Sequence, residues 1–187
     1  MVKFGVAMRV KSIARMGWMM RGIPPSDSET VGSHSFEVAL LSMVLADRLR
    51  DRGLEVDVSK VLRLALLHDI AESVIGDIVR SVKESMVDSR QMEEEALRVL
   101  GMDAYVALVQ ELSEGRTLEA VLVKLCDNVA TLLQGLRYLN KGYTTVVDIV
   151  DEVRRRVEEM LKSEAIPEDA RSTLRDVVTR LIVSEEA

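Results

Sequence analysis

The sequence predicts an all-α fold, and three observations predict it. No stretch alternates apolar and polar residues for long enough to make a convincing strand. Apolar residues instead recur at three- and four-residue spacing along most of the chain. Only three of the 187 residues are proline and the ten glycines are scattered, so long helices are permitted. The chain is 48% apolar and 30% charged, which suits a globular protein with a substantial core. A compact bundle of crossing helices in a single domain spanning 1–187 is expected.

The elements follow in order. Residues 5–15 read as a short amphipathic helix, and residues 16–33 as an irregular connection broken by Gly17, Gly22, Pro24 and Pro25. Ser33 can cap a helix that runs to about Arg50, with Val38, Leu41, Leu45 and Leu49 on one face. Gly53 ends it. Asp57 or Ser59 then opens a third helix through Leu62, Ala65 and Leu66 to Asp69, and Gly76 breaks the pattern beyond it. A helix from about Asp88 to Leu100 is closed by Gly101, and 103–112 is another. Residues 113–116 form a loop, and Thr117 caps a long helix from about Leu118 to Leu139. Helices at about 144–162 and 168–183 complete the chain, with Pro167 at the first helical position of the last. Their apolar stripes, such as Val146, Ile149, Val153, Val157 and Leu161, close the bundle or form a dimer face.

Composition narrows the setting. A single cysteine, Cys126, excludes an internal disulfide and fits a reducing cytoplasm. A net charge of -6 argues against a binder of nucleic acid polymers, yet a few local arginines suffice for one phosphate. No apolar run approaches the roughly 20 residues of a membrane span. The four basic residues spread through the first sixteen leave no continuous apolar centre for a signal peptide.

The chemistry concentrates on a few side chains. The chain has two histidines, His34 and His68, and His68 is followed directly by Asp69. A third acid, Asp127, sits in the middle of the apolar run Val123-Lys-Leu-Cys-Asp127, where Asp has poor helix propensity. A lone histidine on an apolar helix is most often a hydrogen-bonded core residue. Here two imidazoles and two carboxylates lie on three apolar helices that must pack together. An unpartnered buried polar group costs on the order of 2–7 kcal/mol, and a metal ion relieves that cost. Imidazole and carboxylate are first-row metal ligands, and four of them leave room for water or substrate. Adjacent residues on a regular helix point about 100° apart, so His68 and Asp69 share one ion only if it lies between their directions. Glu72, four residues after His68, lies on its face and can act beside a metal without binding it.

The order His34…His68-Asp69…Asp127 resembles that of the HD-domain metal-dependent phosphohydrolases. The runs Arg15-Met-Gly-Trp18-Met-Met-Arg21, Glu29-Thr-Val-Gly-Ser-His34, Leu67-His-Asp-Ile-Ala-Glu72 with Gly76-Asp77, and Glu114-Gly-Arg-Thr117 with Lys124-Leu-Cys-Asp127 are similar to the YfbR-like 5′-deoxynucleotidase branch. The likeness covers about residues 9–140. It implies that His34, His68, Asp69 and Asp127 hold one divalent transition metal, Mn, Co, Fe, Ni or Zn. It implies hydrolysis of (deoxy)nucleoside 5′-monophosphates to nucleoside and phosphate by water that the ion activates. Glu72 matches the acid that orients or deprotonates that water, and Asp77 matches a second acid near the leaving 5′-oxygen. A helix-face salt bridge is the alternative for Glu72, and a cap after Gly76 the alternative for Asp77. Arg15 and Arg21 suit a phosphate monoester, since a guanidinium donates parallel hydrogen bonds. Trp18 either lines the sugar or base pocket or anchors the loop in the core. Lys124 either reaches the phosphate or pairs with a carboxylate behind the ligands. The resemblance also implies a homodimer.

Four positions depart from the branch pattern: Ser33, where relatives often carry Glu, and Val109, Leu112 and Ser113, where relatives show aromatic or acidic residues. They leave the ligands intact and bear on base and sugar recognition. Two other readings stay open. One is an HD phosphohydrolase acting on nucleoside triphosphates or cyclic nucleotides. The other is a non-catalytic nucleotide-binding module. Cys126 has no spare histidine to activate it and reads as a small core residue.

Overall fold

The computed structural model describes residues 1–79, 82 and 88–186. Among them the only β contact is an isolated antiparallel bridge between Ala14 and Thr30, and everything else regular is helical. The elements are α1 (Phe4–Ala7), α2 (Met16–Met19), α3 (Val31–Asp51), α4 (Val58–Leu67), α5 (Glu72–Ile75), α6 (Ser89–Val99), α7 (Val106–Glu114), α8 (Leu118–Asn140), α9 (Val147–Met160) and α10 (Glu168–Glu186). Short 3₁₀ turns at Met8–Lys11, Asp103–Tyr105 and Thr144–Val146 join some of them. No helix among the described residues is long and apolar enough to cross a membrane.

The longest helix, α8, is the centre of the bundle. It packs against α3, α4, α7, α9 and α10. It buries residues on nearly all sides, including Leu122, Leu125, Val129, Leu132 and Tyr138. Thr117 caps it as the sequence predicts, accepting the Ala120 N–H at 3.3 Å. Gly135 lets α9 come close. A Cβ there would lie 2.6 Å from Val150 Cγ2 and 3.4 Å from the Trp18 ring. Arg137 ties three helices together through Glu37 on α3 at 2.9 Å and Glu185 on α10 at 2.7 Å. Val150, Val153 and Val157 of α9 and Leu174 and Val178 of α10 are buried, so both C-terminal helices close the bundle.

Several boundaries differ from the sequence reading, each for a physical reason. Residues 5–15 do not make one helix. After α1 the chain tightens into a 3₁₀ turn, then Ile13 gives its carbonyl to the Val31 N–H at 2.8 Å. Tertiary hydrogen bonds, including Lys3 N–H to the Leu100 carbonyl, override local propensity here. The connection 16–33 contains α2, whose first N–H, that of Met16, donates to Asp77. Ser33 is the third residue of α3 and not its cap. Thr30 is the cap: its Oγ1 accepts the Ser33 N–H at 3.1 Å while Ser33 Oγ accepts the Thr30 N–H at 2.9 Å. At 113–116, α7 continues to Glu114 before Gly115 turns the chain with φ +63°. Pro167 precedes α10 rather than opening it, its carbonyl accepting the N–H groups of Ala170 and Arg171.

Candidate metal centre

Two helices and the turn after a third bring the candidate ligand residues together. His34 sits in the first turn of α3 and Asp127 in the middle of α8. α4 ends at Leu67, so His68 and Asp69 stand on tight turns and not on a regular helix. Those turns, with Ile70 N–H to Leu67 O at 3.2 Å and Glu72 N–H to Asp69 O at 3.1 Å, aim both side chains inward. His68 itself keeps helical dihedrals, φ -57° and ψ -39°, so the adjacent side chains still diverge, and Asp69 is not among the three residues whose candidate ligand atoms cluster.

His34, His68 and Asp127 each offer a ligand atom, all within 4.8 Å of one another. His34 Nε2 is 2.9 Å from Asp127 Oδ1, and His68 Nε2 is 3.2 Å from Asp69 Oδ2. Asp69 Oδ2 also accepts from Arg15 Nη1 at 3.1 Å, so this carboxylate stands at the edge of the triad. His68 Nδ1 donates to the Ala65 carbonyl at 2.7 Å. That leaves Nε2 as the nitrogen facing the site, the arrangement a metal-ligating imidazole needs.

The electrostatics agree with a cation at this spot. Burial works against every charge here, yet partners outweigh it. Burial alone would raise Asp127, but the hydrogen bond and charge of His34 and the charge of His68 hold it at about 2. Asp69 is held well below the carboxylate range by His68 and Arg15 against the same burial. Burial lowers His68, but Asp69, Asp127 and the Ala65 carbonyl lift it to about 9. Burial and Arg15 lower His34, and Asp127 and Glu29 more than reverse them. The carboxylates thus stay ionised and draw positive charge onto the imidazoles, which a divalent ion would supply in place of protons. His68 Nε2 is buried without a hydrogen bond of good geometry. Two imidazole nitrogens with carboxylate oxygens fit a first-row divalent ion better than calcium, which takes oxygen ligands.

Asp127 and Asp69 line a cavity of about 440 Å³, with both imidazoles set behind them. Near the metal end its walls are Arg15, Asp69, Glu72, Asp77 and Asp127. Glu72 opens α5 and is 3% exposed. Asp77 both lines the cavity and caps α2. The Arg15 guanidinium is buried between Asp69 and Glu29. Arg21 reaches the cavity rim but pairs with Asp148 through Nε and Nη2. Trp18 is almost sealed, 2% exposed, edge-to-face with Tyr138 at 5.2 Å and donating to Glu29 Oε2 at 3.0 Å. Lys124 is not among the lining residues. Its Nζ donates to the Ser113 carbonyl at 2.7 Å, tying α8 to the end of α7. Cys126 is buried, and burial pushes its thiol up to about 12.

Sequence reasoning missed the opposite wall. Asn128 and Thr131 of α8 and Glu152 and Arg156 of α9 line it. Thr131 was findable, being one turn beyond Asp127 on the same face. The α9 pair carried no signal, since an i,i+4 Glu–Arg pair reads as a solvated face. Glu29 was also passed over as a group with a task, although it begins one of the motif runs.

The comparisons bear on this geometry. An HD domain family model matches residues 7–168. A Dictyostelium discoideum protein named 5′-deoxynucleotidase HDDC2 is 29% identical over 145 residues, covering 72% of this chain and 75% of that one. The human protein of the same name is 30% identical, covering 70% of this chain and 63% of its own length, so this chain spans less than two thirds of it. A crystal structure of a Pyrococcus horikoshii protein is 31% identical with a TM-score of 0.82, covering 97% of each chain. A conserved hypothetical protein from Pyrococcus furiosus is 30% identical with the same TM-score, covering 95% of this chain and 96% of that one. With its ligand-bearing helices arranged as described and most of its length matched, the chain belongs to the HD domain family.

Proposed function

We propose that this chain is a metal-dependent phosphomonoesterase that converts nucleoside 5′-monophosphates, deoxy forms by preference, to nucleoside and phosphate. One observation carries the reading: the candidate ligand atoms of His34, His68 and Asp127 cluster within 4.8 Å, and Asp127 joins that cluster to a cavity lined by Arg15, Asp69, Glu72 and Asp77. The family and the names of its relatives support the same reaction. His34, His68, Asp127 and the adjacent Asp69 would hold the divalent ion, whose identity among Mn, Co, Fe, Ni and Zn is open to experiment. When bound, such an ion lowers the pKa of water and stabilises charge on phosphoryl oxygens.

The protein's own side chains supply the rest. Arg15 would present its guanidinium to the phosphate, held in place by Asp69 and Glu29. Glu72 would take the proton of the attacking water as its oxygen bonds to phosphorus. As the phosphorus–oxygen bond to the sugar breaks, Asp77 would relay a proton to the leaving 5′-oxygen, which departs as the hydroxyl of the nucleoside. Arg21 would meet the substrate at the rim only by leaving Asp148. Trp18 lends a small, mostly buried part of its ring to the cavity wall while anchoring the loop, and Lys124 serves packing. The nucleoside would lie against Asn128, Glu152 and Arg156.

Phosphate release from a panel of nucleoside and deoxynucleoside 5′-monophosphates, with Mn, Co, Mg and Zn in turn, tests the proposal. Turnover of monophosphates that EDTA abolishes is expected. Turnover confined to triphosphates or cyclic nucleotides overturns the substrate class, and metal binding without turnover on any of them overturns the enzyme. The whole chain is proposed to work as one domain, and as a homodimer in a reducing cytoplasm. The exposed apolar stripe Phe36, Leu40 and Val44 on α3 supports the dimer. Light scattering of the purified chain tests it, a monomer at micromolar concentration being the contrary result.

A further inference from the structure

His34 Nδ1 faces a buried carboxylate that the metal reading leaves without a task. Its Nε2 points at Asp127, so the ring's other nitrogen must find its partner elsewhere. That ring is fully buried, and no hydrogen bond of good geometry reaches Nδ1. The polar atom facing it is Glu29 Oε1, at 3.5 Å. A small rotation of the imidazole brings that gap within hydrogen-bond range. We infer that Glu29 is a positioning residue for the metal centre, accepting the Nδ1–H of His34 and so committing Nε2 to the ion. This inference rests on the metal reading above.

The surroundings of Glu29 fit that task alongside its pairing with Arg15. Its side chain is 4% exposed, and an ionised carboxylate so placed needs fixed donors. Its other oxygen, Oε2, accepts the Trp18 indole N–H at 3.0 Å. Indole is a donor only, so this bond fixes which carboxylate oxygen remains for His34. Arg15 Nε lies 3.7 Å from the same Oε2 and balances the charge. The backbone is pinned as well. The Glu29 N–H donates to Tyr138 Oη at 2.7 Å, its carbonyl accepts the Arg15 N–H at 2.9 Å, and Thr30 next to it bridges to Ala14. The carboxylate is therefore held rigid from three directions, with one oxygen turned to the imidazole.

The chemistry is that of a supported ligand. A nitrogen that binds a metal uses its lone pair, so the ring proton must sit on the other nitrogen. An acceptor behind that proton fixes the tautomer and raises the basicity of the ligand atom. His68 has a backbone carbonyl in this role, while His34 has an anion, the stronger support. Trp18 then acts through Glu29 and not by stacking on a base.

Two measurements test the inference. In the full chain with isotopically labelled histidine and bound Zn²⁺, long-range proton–nitrogen NMR should show Nδ1 protonated and Nε2 metal-bound on both rings. With only two histidines the assignment is simple. A metal-bound Nδ1 on His34 overturns the proposal. In parallel, Co²⁺ affinity is measured by calorimetry and the visible Co²⁺ spectrum recorded for wild type, Glu29→Ala, Glu29→Gln and Trp18→Phe. Glu29→Ala should bind about 10- to 100-fold more weakly, with a shifted spectrum, while Glu29→Gln restores part of the affinity. Trp18→Phe should weaken binding by a smaller factor. A folded Glu29→Ala with wild-type affinity and spectrum sinks the inference while leaving the metal site standing. A wild type that binds neither ion removes the metal reading, and this one with it.

Discussion

Cys126 neighbours a proposed metal ligand and yet should be chemically silent. Burial drives its thiol up to about 12, so the folded protein keeps it protonated where an unfolded chain ionises it near 9. A group raised on folding contributes fully below its unfolded pKa and loses that contribution as pH climbs toward the folded value. Stability should therefore fall between about pH 9 and 12, less steeply in Cys126→Ala. A thiol reagent should label the native protein only as fast as it unfolds, and rapid labelling at pH 8 would contradict the burial. Glu72 makes the opposite prediction. It is buried beside the site, and in the role proposed for it, acting on the water and not on the ion, exchanging it for Ala should lower kcat by about 10²–10⁴ while metal affinity holds. Equal kcat would reassign it to structure. The candidate cluster was legible because two histidines and a mid-helix Asp127 in apolar runs single themselves out, and the structure brings their polar atoms within 4.8 Å. Glu29 was not, because its partners His34 and Trp18 declare themselves only once Trp18, Tyr138 and His34 surround it. Lys124 shows the converse, for its spacing from Asp127 suggested the cavity and its amine goes instead to Ser113.

At the level of elements, the close crossing of α8 and α9 and the start of α3 are the points most open to test. Gly135→Ala places a methyl 2.6 Å from Val150 Cγ2. Overpacking of about 1–3 kcal/mol should outweigh the roughly 1 kcal/mol that Ala gains in helix propensity. Chemical denaturation should show a net loss that Val150→Ala, made in the same chain, partly relieves. Thr30→Ala removes the α3 cap and should cost about 1 kcal/mol by the same measurement. Ser33 looked like that cap in the sequence because Ser followed by an apolar helix is a valid start signal. The reciprocal bond back to Thr30 moves the boundary three residues earlier, and pattern alone does not separate the two. The N-terminal segment was misread for a different reason: its backbone bonds go to Leu100 and Val31, which are remote in sequence. The starts of helices α4, α6 and α8 needed no such correction, since Asp57, Asp88 and Thr117 cap them locally, although α4 ends at Leu67 rather than Asp69.

For the molecule as a whole, the proposed site joins α3, the turn after α4, and α8, so occupancy should stabilise the entire bundle. A ligand at 100 times its Kd adds about 2.7 kcal/mol to a folded state that alone binds it. For a chain of this size that corresponds to a rise of about 5–11 °C in Tm, reversed by EDTA. A Tm indifferent to Mn, Co and Zn would argue against the site. The all-α class was legible from spacing because the long helices α3, α8, α9 and α10 each bury apolar residues at helical spacing. The arrangement that makes a cavity was not, because α9 approaches through Gly135 and contributes Glu152 and Arg156 from a helix that reads as purely structural.

The place of Trp18 gives the protein an internal optical probe. It is the only tryptophan, its indole N–H rests on Glu29, and its ring meets Tyr138 at 5.2 Å. Its emission should be blue-shifted in the native chain and should respond when the site is loaded. Cobalt, whose visible absorption accepts energy over such short distances, should dim it in proportion to occupancy, so the protein can be titrated by its own fluorescence without a label.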